Sequence, residues 1–415
     1  MRNRRRIAGT FRFISESRFI LYYSLAERLF FFLFFILIAR RFHVENYGEL
    51  ITALAVANGT AIMFDLGIPI HLQKEISSGK PAGKLLPSAI SLSMILLPLF
   101  FLLSVVIGKS AYQIPVSLMV LICAPVYLFS VSNLLNKVLA GLEDYRSQFE
   151  AVSYSRISAL LLLFYFYYAG YESPVPYLVI LLVTAIVQVL LLLFRIRERS
   201  GGEWKWFTGF SGLRYLYPVV PLGAAVAFNF LYDKIDILLI SGMLGFAESA
   251  IYSIAYGIFK AASLSYTFFL TPALTKISYL GRRLSAVRLY LAKYTFIIFI
   301  ICICSFAAIF LASDFLVELL YGVKYSESSS LLKVLSIATL GMGLNNLYGV
   351  ALNGLGLYKE NLYVTLFGLV INILINIMLI PSMGIMGAVI ATVATEYFVL
   401  AADSYFLNNY LKGSE

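Results

Sequence analysis

Asn229-Phe230-Leu231-Tyr232-Asp233-Lys234-Ile235-Asp236-Ile237-Leu238-Leu239-Ile240 lies inside an apolar run that opens at Tyr217-Pro218-Val219-Val220-Pro221 and closes at Gly242. The run is about the length of one bilayer-spanning helix, roughly 20 residues. Asp233, Lys234 and Asp236 therefore sit at hydrocarbon depth. Near a helix centre each costs about 2.5–3.5 kcal/mol even on lenient insertion scales. Asn229, Asp233 and Asp236 recur at i, i+4 and i+7 and share one helical face. Such a face looks onto protein or a hydrated cavity, not onto lipid. A structural ion pair between neighbouring helices is the competing reading of the same charges.

The surrounding chain has the composition of a lipid-embedded protein. Of its 415 residues 60% are hydrophobic and only 13% charged, with a mean hydropathy of +0.86. A soluble domain is about half apolar and about a quarter charged. The net charge of +10 does not point to nucleic acid, because most Lys and Arg fall in short loops on one topological side. Cys123, Cys302 and Cys304 all lie in apolar runs and read as small buried residues. His43 and His71, the only histidines, have no second ligand near them in sequence, so no metal site is expected. The basic start leads directly into a full-length apolar run, which is not the pattern of a cleavable signal. No phosphate-binding G-x-x-x-x-G-K-S/T loop occurs.

Apolar runs at about 19–39, 50–70, 88–108, 114–136, 151–169 and 174–194 predict six helices, and runs at about 217–241, 250–272, 290–311, 331–353, 361–381 and 385–407 predict six more. The expected fold is an all-α polytopic membrane protein of about twelve spans. Residues 1–18 form a basic cytoplasmic start, 19–194 a first bundle, 195–214 a cytoplasmic linker, 215–407 a second bundle and 408–415 a cytoplasmic end. Glycines 201, 202, 209 and 212 mark the linker. Charge supports this topology. Loops expected in the cytoplasm carry Lys74, Lys80, Lys84, Lys137, Arg146, Arg195, Arg197, Arg199, Lys205, Arg214, Lys276, Arg282, Arg283, Arg288, Lys293 and Lys359, whereas the opposite loops carry Arg40, Arg41, Lys109 and Lys324. That asymmetry is the positive-inside bias. The largest opposite-side loop, Ala312 to Ser330, has no catalytic constellation.

The two bundles share a pattern. Gly141-Leu142-Glu143-Asp144-Tyr145-Arg146 follows the fourth run and Gly354-Leu355-Gly356-Leu357-Tyr358-Lys359 the tenth, both reading G-L-x-x-Y-K/R. Arg41 to Gly48 corresponds to Gly245 to Tyr252, and Lys74-Glu75-Ile76-Ser77 has an echo in Thr275-Lys276-Ile277-Ser278. Six spans per half is an even number, so the repeats are parallel, with a substrate path expected between them. At this offset Glu27-Arg28 falls opposite Asp233-Lys234 within about two residues.

Ile38-Ala39-Arg40-Arg41-Phe42-His43-Val44-Glu45-Asn46-Tyr47-Gly48 resembles the first-loop pattern A-R-x-L-G-x-x-x-Y-G of lipid-linked oligosaccharide (O-antigen) flippases of the polysaccharide-export type. Asp65-Leu66-Gly67, Ile235-Asp236, Ala250-Ile251-Tyr252-Ser253, Leu320-Tyr321-Gly322 with Lys324-Tyr325, and Pro381 with Gly384, Gly387 and Ala388 resemble further motifs of that family. His43 and Ala250 stand where the family has glycine. The family belongs with the multidrug extruders and lipid II flippases. The resemblance implies a MATE-like pair of six-helix bundles arranged in a V, working by alternating access. It also implies movement of a polyprenyl-phosphate- or diphosphate-linked oligosaccharide from the cytoplasmic to the outer leaflet of the cell membrane. The implied partners are membrane lipid and the polymerase and glycosyltransferases of the same pathway. The competing classes are a proton- or sodium-coupled exporter of small amphiphiles and a membrane-embedded glycan ligase or polymerase. The last would be expected to carry a large catalytic outer loop.

Candidate substrate-binding cations are Arg28, Lys234, Lys260 and Arg156, which suit phosphate. Candidate acidic or ion-coupling groups are Asp233, Asp236, Glu396, Glu27 and Asp65. No cofactor is expected beyond a coupling proton or sodium ion. Several of these have plainer readings. Arg156 near a helix end can snorkel to the interface, Asp65 can hydrogen-bond at a helix end, and Glu396 can serve packing. Asn345, Asn346, Asn353, Asn372 and Asn376 suit interhelical hydrogen bonds as well as sugars.

Overall fold

Leu66 (φ 48°) and Gly67 (φ 73°) take left-handed backbone angles and interrupt the second apolar run. The computed structural model describes residues 2–200, 216–281 and 283–412. Its helices are α1 (Arg2–Arg41), α2 (Val44–Asp65), α3 (Ile68–Ser77), α4 (Ala82–Tyr112), α5 (Val116–Gly141), α6 (Tyr145–Tyr168), α7 (Pro174–Ser200) and α8 (Leu216–Met243). Then follow α9 (Phe246–Ala261), α10 (Leu264–Leu280), α11 (Leu284–Tyr321), α12 (Glu327–Gly354), α13 (Tyr358–Met383) and α14 (Ile385–Lys412). No strand occurs among the described residues. A helix satisfies its backbone groups within one segment, which hydrocarbon demands.

Among the described residues ten helices are long and apolar enough to cross a membrane. The 28-residue α8 has the length for another crossing. Helices α9 (16 residues) and α10 (17 residues) stand where one span was expected. The protein is thus an all-α, multi-pass membrane protein. Two of the expected spans are not single helices. Asp65 ends α2, and Pro69 lies in the first turn of α3, where its missing N–H costs nothing. Between α9 and α10 the hydrogen bonds tighten to a three-residue step, from Ala262 N to Phe259 O at 3.1 Å and from Ser263 N to Lys260 O at 3.0 Å.

The basic start is helical from Arg2 and runs on into the apolar part of α1, whose candidate span opens at Arg18. One further expectation needs correction. Most of the expected loop from Ala312 to Ser330 is helical, since α11 runs 38 residues to Tyr321 and stops at Gly322 (φ 91°). No Gly or Pro breaks α11, whose length of about 57 Å exceeds any bilayer core. Residues 195–200 of the expected linker finish α7, and 201–214 lie outside the described residues.

The chain divides into two compact units, residues 1–43 with 53–227, and residues 44–52 with 228–415. In unit 1, α1 packs on α6, α3 on α5, and α7 on both α5 and α6. Leu72, Leu86, Leu135, Leu139 and Leu192 meet in its core. In unit 2, α12 is central, with α9, α10, α11 and α14 packed around it and α13 on α14. Its small residues permit this: a Cβ on Gly341 would lie 3.2 Å from the backbone of Glu396 on α14. Large apolar side chains such as Leu161, Tyr168, Leu289 and Leu311 are strongly exposed, as befits surfaces solvated by lipid.

The repeat in sequence is the same packing made twice. In unit 1 a Cβ on Gly141 would meet the Ile76 side chain at 2.9 Å, and in unit 2 a Cβ on Gly354 would meet that of Ile277 at 3.0 Å. Ile76 and Ile277 are the matched residues of the K-E-I-S and T-K-I-S echo. Glycine at the end of the helix admits the neighbouring backbone in both. Gly141→Ala and Gly354→Ala are each expected to destabilise by about 1–3 kcal/mol through overpacking. Gly257→Ala, where nothing lies within 4 Å, should be neutral or stabilising. Thermal unfolding of purified protein in detergent would check this, and equal stability of all three variants would contradict it.

Candidate functional site

Tyr252, Tyr256 and Lys260 fall at i, i+4 and i+8 on α9 and present one face to α8. On α8, Asp233 and Asp236 are three residues apart and also share a face. Asp233 is met from both sides. Its Oδ1 accepts from Lys260 Nζ at 2.8 Å and from the Tyr256 hydroxyl at 2.9 Å, and its Oδ2 lies 3.0 Å from Lys234 Nζ. Both ammonium groups also lie over the Tyr256 ring, at 5.7 Å for Lys234 and 5.4 Å for Lys260. Two cations around one carboxylate give these three groups a net charge of about +1, and the Glu396 and Asp236 carboxylates act on Lys260 from beyond them. All three charged side chains remain about one-third exposed (34%, 32% and 33%). The cluster is therefore a half-open cationic site whose ammonium groups keep unused donors.

One turn along α8 the chemistry is opposite. Asp236 is 5% exposed and is served by neutral donors. Its Oδ2 accepts from the Tyr252 hydroxyl at 2.6 Å and from Thr392 Oγ1 at 2.7 Å, and its Oδ1 accepts from Asn376 Nδ2 at 2.8 Å. Among the described residues no cation pairs with it. Asn372 Oδ1 lies 3.1 Å from Asn376 Nδ2, and Asn376 Oδ1 has no partner. Asp236, Asn372, Asn376, Thr392 and Tyr252 thus gather oxygen atoms around a buried carboxylate, a donor set suited to a proton or a small hard cation. Tyr252 and Tyr256 stack at 5.6 Å with 17° between planes and join the two acidic centres. Glu396, one turn beyond Thr392 on α14, is 4% exposed and accepts from Asn345 Nδ2 on α12.

The unit 1 candidates do not form a comparable site. Glu27 Oε1 accepts from Arg156 Nη2 at 3.1 Å, and the Arg156 side chain is only 2% exposed. Its guanidinium lies 5.0, 5.2 and 5.0 Å from the Phe30, Phe31 and Phe129 rings. Arg156 is therefore sealed in the bundle, not snorkelling to an interface. Arg28, adjacent to Glu27, faces the other way and is exposed. Asp65 ends α2 and accepts from Ser130 Oγ, which matches its plainer reading. It borders a small cleft with Ser93, Tyr127 and Ser130.

Five candidates, Asp233, Lys234, Asp236, Lys260 and Glu396, thus lie in unit 2, while Glu27, Arg28, Asp65 and Arg156 lie in unit 1. Sequence reasoning missed Tyr256 and Thr392. The four-residue spacings Tyr252–Tyr256–Lys260 and Thr392–Glu396 were the available signals.

Residues 17–278 match the model of a family described as polysaccharide biosynthesis protein. An uncharacterized membrane protein of Methanocaldococcus jannaschii is 26% identical over 409 residues, covering 92% of this chain and 95% of its own length. Among solved structures, an inward-facing multidrug resistance MATE family transporter of the MOP superfamily aligns with a TM-score of 0.77 at 14% identity, over 93% of this chain and 94% of that one. The lipid II flippase MurJ in an inward closed conformation aligns with a TM-score of 0.74 at 14% identity, over 93% and 87%. At these identities the two structures speak for the fold.

The sealed pair in unit 1 has a measurable energetic consequence. Glu27→Gln leaves the Arg156 cation buried without a counter-charge. The expected cost is about 3 kcal/mol, the low end for a broken buried pair because Glu27 is one-third exposed. Glu27→Gln with Arg156→Met should regain most of that loss. Thermal unfolding in detergent would check it, and a double variant no more stable than Glu27→Gln alone would refute it.

Proposed function

The chain belongs to the polysaccharide biosynthesis protein family, and we propose that it is a flippase for a polyprenyl-phosphate- or diphosphate-linked oligosaccharide. The observation that carries this reading is the Lys234–Asp233–Lys260 cluster on α8 and α9, a half-open site with two ammonium groups to one carboxylate. A phosphate linked to a lipid needs donors and positive charge along its path, while its tail stays in the bilayer. Asp233 holds the two ammonium groups apart and partly neutralised until the anion arrives. The anion then takes the donors that Asp233 leaves unused. Two ammonium groups at one site disfavour the export of cationic amphiphiles.

We further propose that Asp236 holds the coupling ion, a proton or sodium. Burial without a cation favours neutralising this carboxylate even though three neutral donors serve it, and its oxygen-rich surroundings fit either ion. Movement of glycan lipid from the cytoplasmic to the outer leaflet of the cell membrane would then be driven by the ion gradient through alternating access.

Leaflet-specific detection of lipid-linked glycan in proteoliposomes tests both parts. Each ammonium–phosphate bond is worth about 1.5–3 kcal/mol, so Lys234→Gln and Lys260→Gln should each slow flipping by roughly tenfold or more. Undiminished flipping by both variants at normal protein abundance would sink the phosphate role. Collapse of the proton and sodium gradients should slow the wild type, and Asp236→Asn should be insensitive to that collapse. If the gradient has no effect on wild-type flipping, the coupling role is wrong.

A further inference from the structure

The helix pair α3–α4 of unit 1 and the pair α10–α11 of unit 2 take matched places in the repeat and differ in charge. In unit 1 Glu75 of the K-E-I-S motif forms an ion pair with Lys80. Unit 1 also pairs Arg199 with Asp144, and both Arg146 and Arg195 with Glu150. In unit 2 Lys276 stands where Glu75 stands in unit 1, and no Asp or Glu occurs from residue 249 to residue 313. Among the described residues no ion pair includes Lys276, Arg283 or Lys293, and all three are exposed. Exposed cations with no acid between them make a local positive field that draws anions.

Their neighbours set these cations against lipid. Helix α10 ends at Leu280 and α11 begins at Leu284, so Lys276 and Arg283 flank one tight bend. Lys293 follows about 14 Å into α11. It sits between Leu289 and Phe296 in a row with Ile300 and Ile303, at steps of four and three residues along one helical face. Leu289 is 76% exposed and Phe296 66%, and large bare apolar side chains on a spanning helix are solvated by hydrocarbon. A lysine within such a face lays its stem on the apolar surface and lifts its ammonium to the headgroups. On α10, Lys276 Nζ lies 5.5 Å from the centre of the Tyr279 ring, and Tyr279 is 81% exposed. An exposed tyrosine beside a cation at a helix end suits the headgroup layer.

A phospholipid phosphate is an anion held at headgroup depth, with acyl chains that cover the apolar row below it. We propose that the α10–α11 hairpin docks anionic phospholipid, with the lipid phosphate held by Lys276, Arg283 and Lys293. A soluble anion would meet the cations but leave Leu289 and Phe296 uncovered, so the paired chemistry favours a lipid. The bound phosphate gives unit 2 the counter-charge that unit 1 carries in Glu75. The surface shares no residue with the Lys234–Asp233–Lys260 cluster and does not depend on what that cluster transports.

Binding of radiolabelled phosphatidylglycerol to the purified full-length protein in neutral detergent tests this. Phosphatidylcholine with the same acyl chains should compete poorly, and inorganic phosphate should not compete. Each cation near an anionic surface is worth about fivefold in affinity, so Lys276→Gln, Arg283→Gln and Lys293→Gln together should weaken binding by roughly tenfold or more. Lys276→Glu alone, which copies the charge of unit 1, should weaken it more than Lys276→Gln. Lys74→Gln, Lys80→Gln and Lys84→Gln together remove the same charge from the α3–α4 hairpin and should leave binding as in the wild type. Both triple variants should unfold near the wild-type midpoint without lipid, because the side chains they alter are exposed. Equal competition by phosphatidylcholine would overturn the proposal, as would equal weakening by the two triple variants. Displacement by inorganic phosphate would make this a site for soluble anions and would overturn it as well.

Discussion

Hydrocarbon offers no water to a charge, so a charge within it lasts only if the fold supplies an answer. Asp233 is the answer for Lys234 and Lys260 together. Without it two ammonium groups would share one tyrosine ring with no carboxylate in direct contact. Arg156 is answered differently, by one carboxylate and three phenylalanine rings. The difference in exposure decides what each can do. A guanidinium 2% exposed can keep its partner but cannot exchange it, whereas ammonium groups one-third exposed can do both.

Both units break the helix that follows their first long span, and each break sets a charged group at a helix end. Asp65 is the last residue of α2 and Lys260 lies in the last turn of α9. A lysine near the carbonyl end of a helix is favoured by the macrodipole, so the slip after α9 helps to hold Lys260 at depth. Asp65 sits at the same kind of end with the opposite sign, which favours a hydrogen-bond donor beside it. Ser130 supplies that donor. Interrupted helices are tolerated here because neighbouring helices re-satisfy the freed groups.

The helical class, the crossings and the repeat were legible because each rests on many residues or on a local rule. The G-L-x-x-Y-K/R pairs and the isoleucine echoes turned out to be two sides of one packing contact, Gly141 on Ile76 and Gly354 on Ile277. The acidic centres were legible too, since a charge in an apolar run is conspicuous. Their partners were not. Tyr256, Thr392 and Asn376 are ordinary in spanning helices, and only tertiary packing decides which acid they serve. Glu27-Arg28 looked like the counterpart of Asp233-Lys234 by offset. The neighbouring rings make it a different object, because Phe30 and Phe31 occupy the turn that in α8 carries Asp236. The helical extension of α11 was hidden by Asp314 and Glu318, whose charges suggested a loop although nothing in the stretch breaks a helix.

The two acidic centres on α8 are linked by their partners more than by their own spacing. Both acids belong to α8, while Tyr252, Tyr256 and Lys260 belong to α9. The two tyrosines stack one turn apart on the same helix, so a rigid shift of α9 carries both. Any displacement of α9 along α8 that draws Lys260 and Tyr256 from Asp233 must also draw Tyr252 from Asp236. Conversely, an ion that reorients the Asp236 carboxylate acts on Tyr252 and hence on the register of Lys260. An anion competing for the lysines and an ion neutralising Asp236 would therefore bias one and the same helix displacement. That is the requirement for coupling two ligands through a single two-state element. A lone acid surrounded only by residues of its own helix would have no such lever.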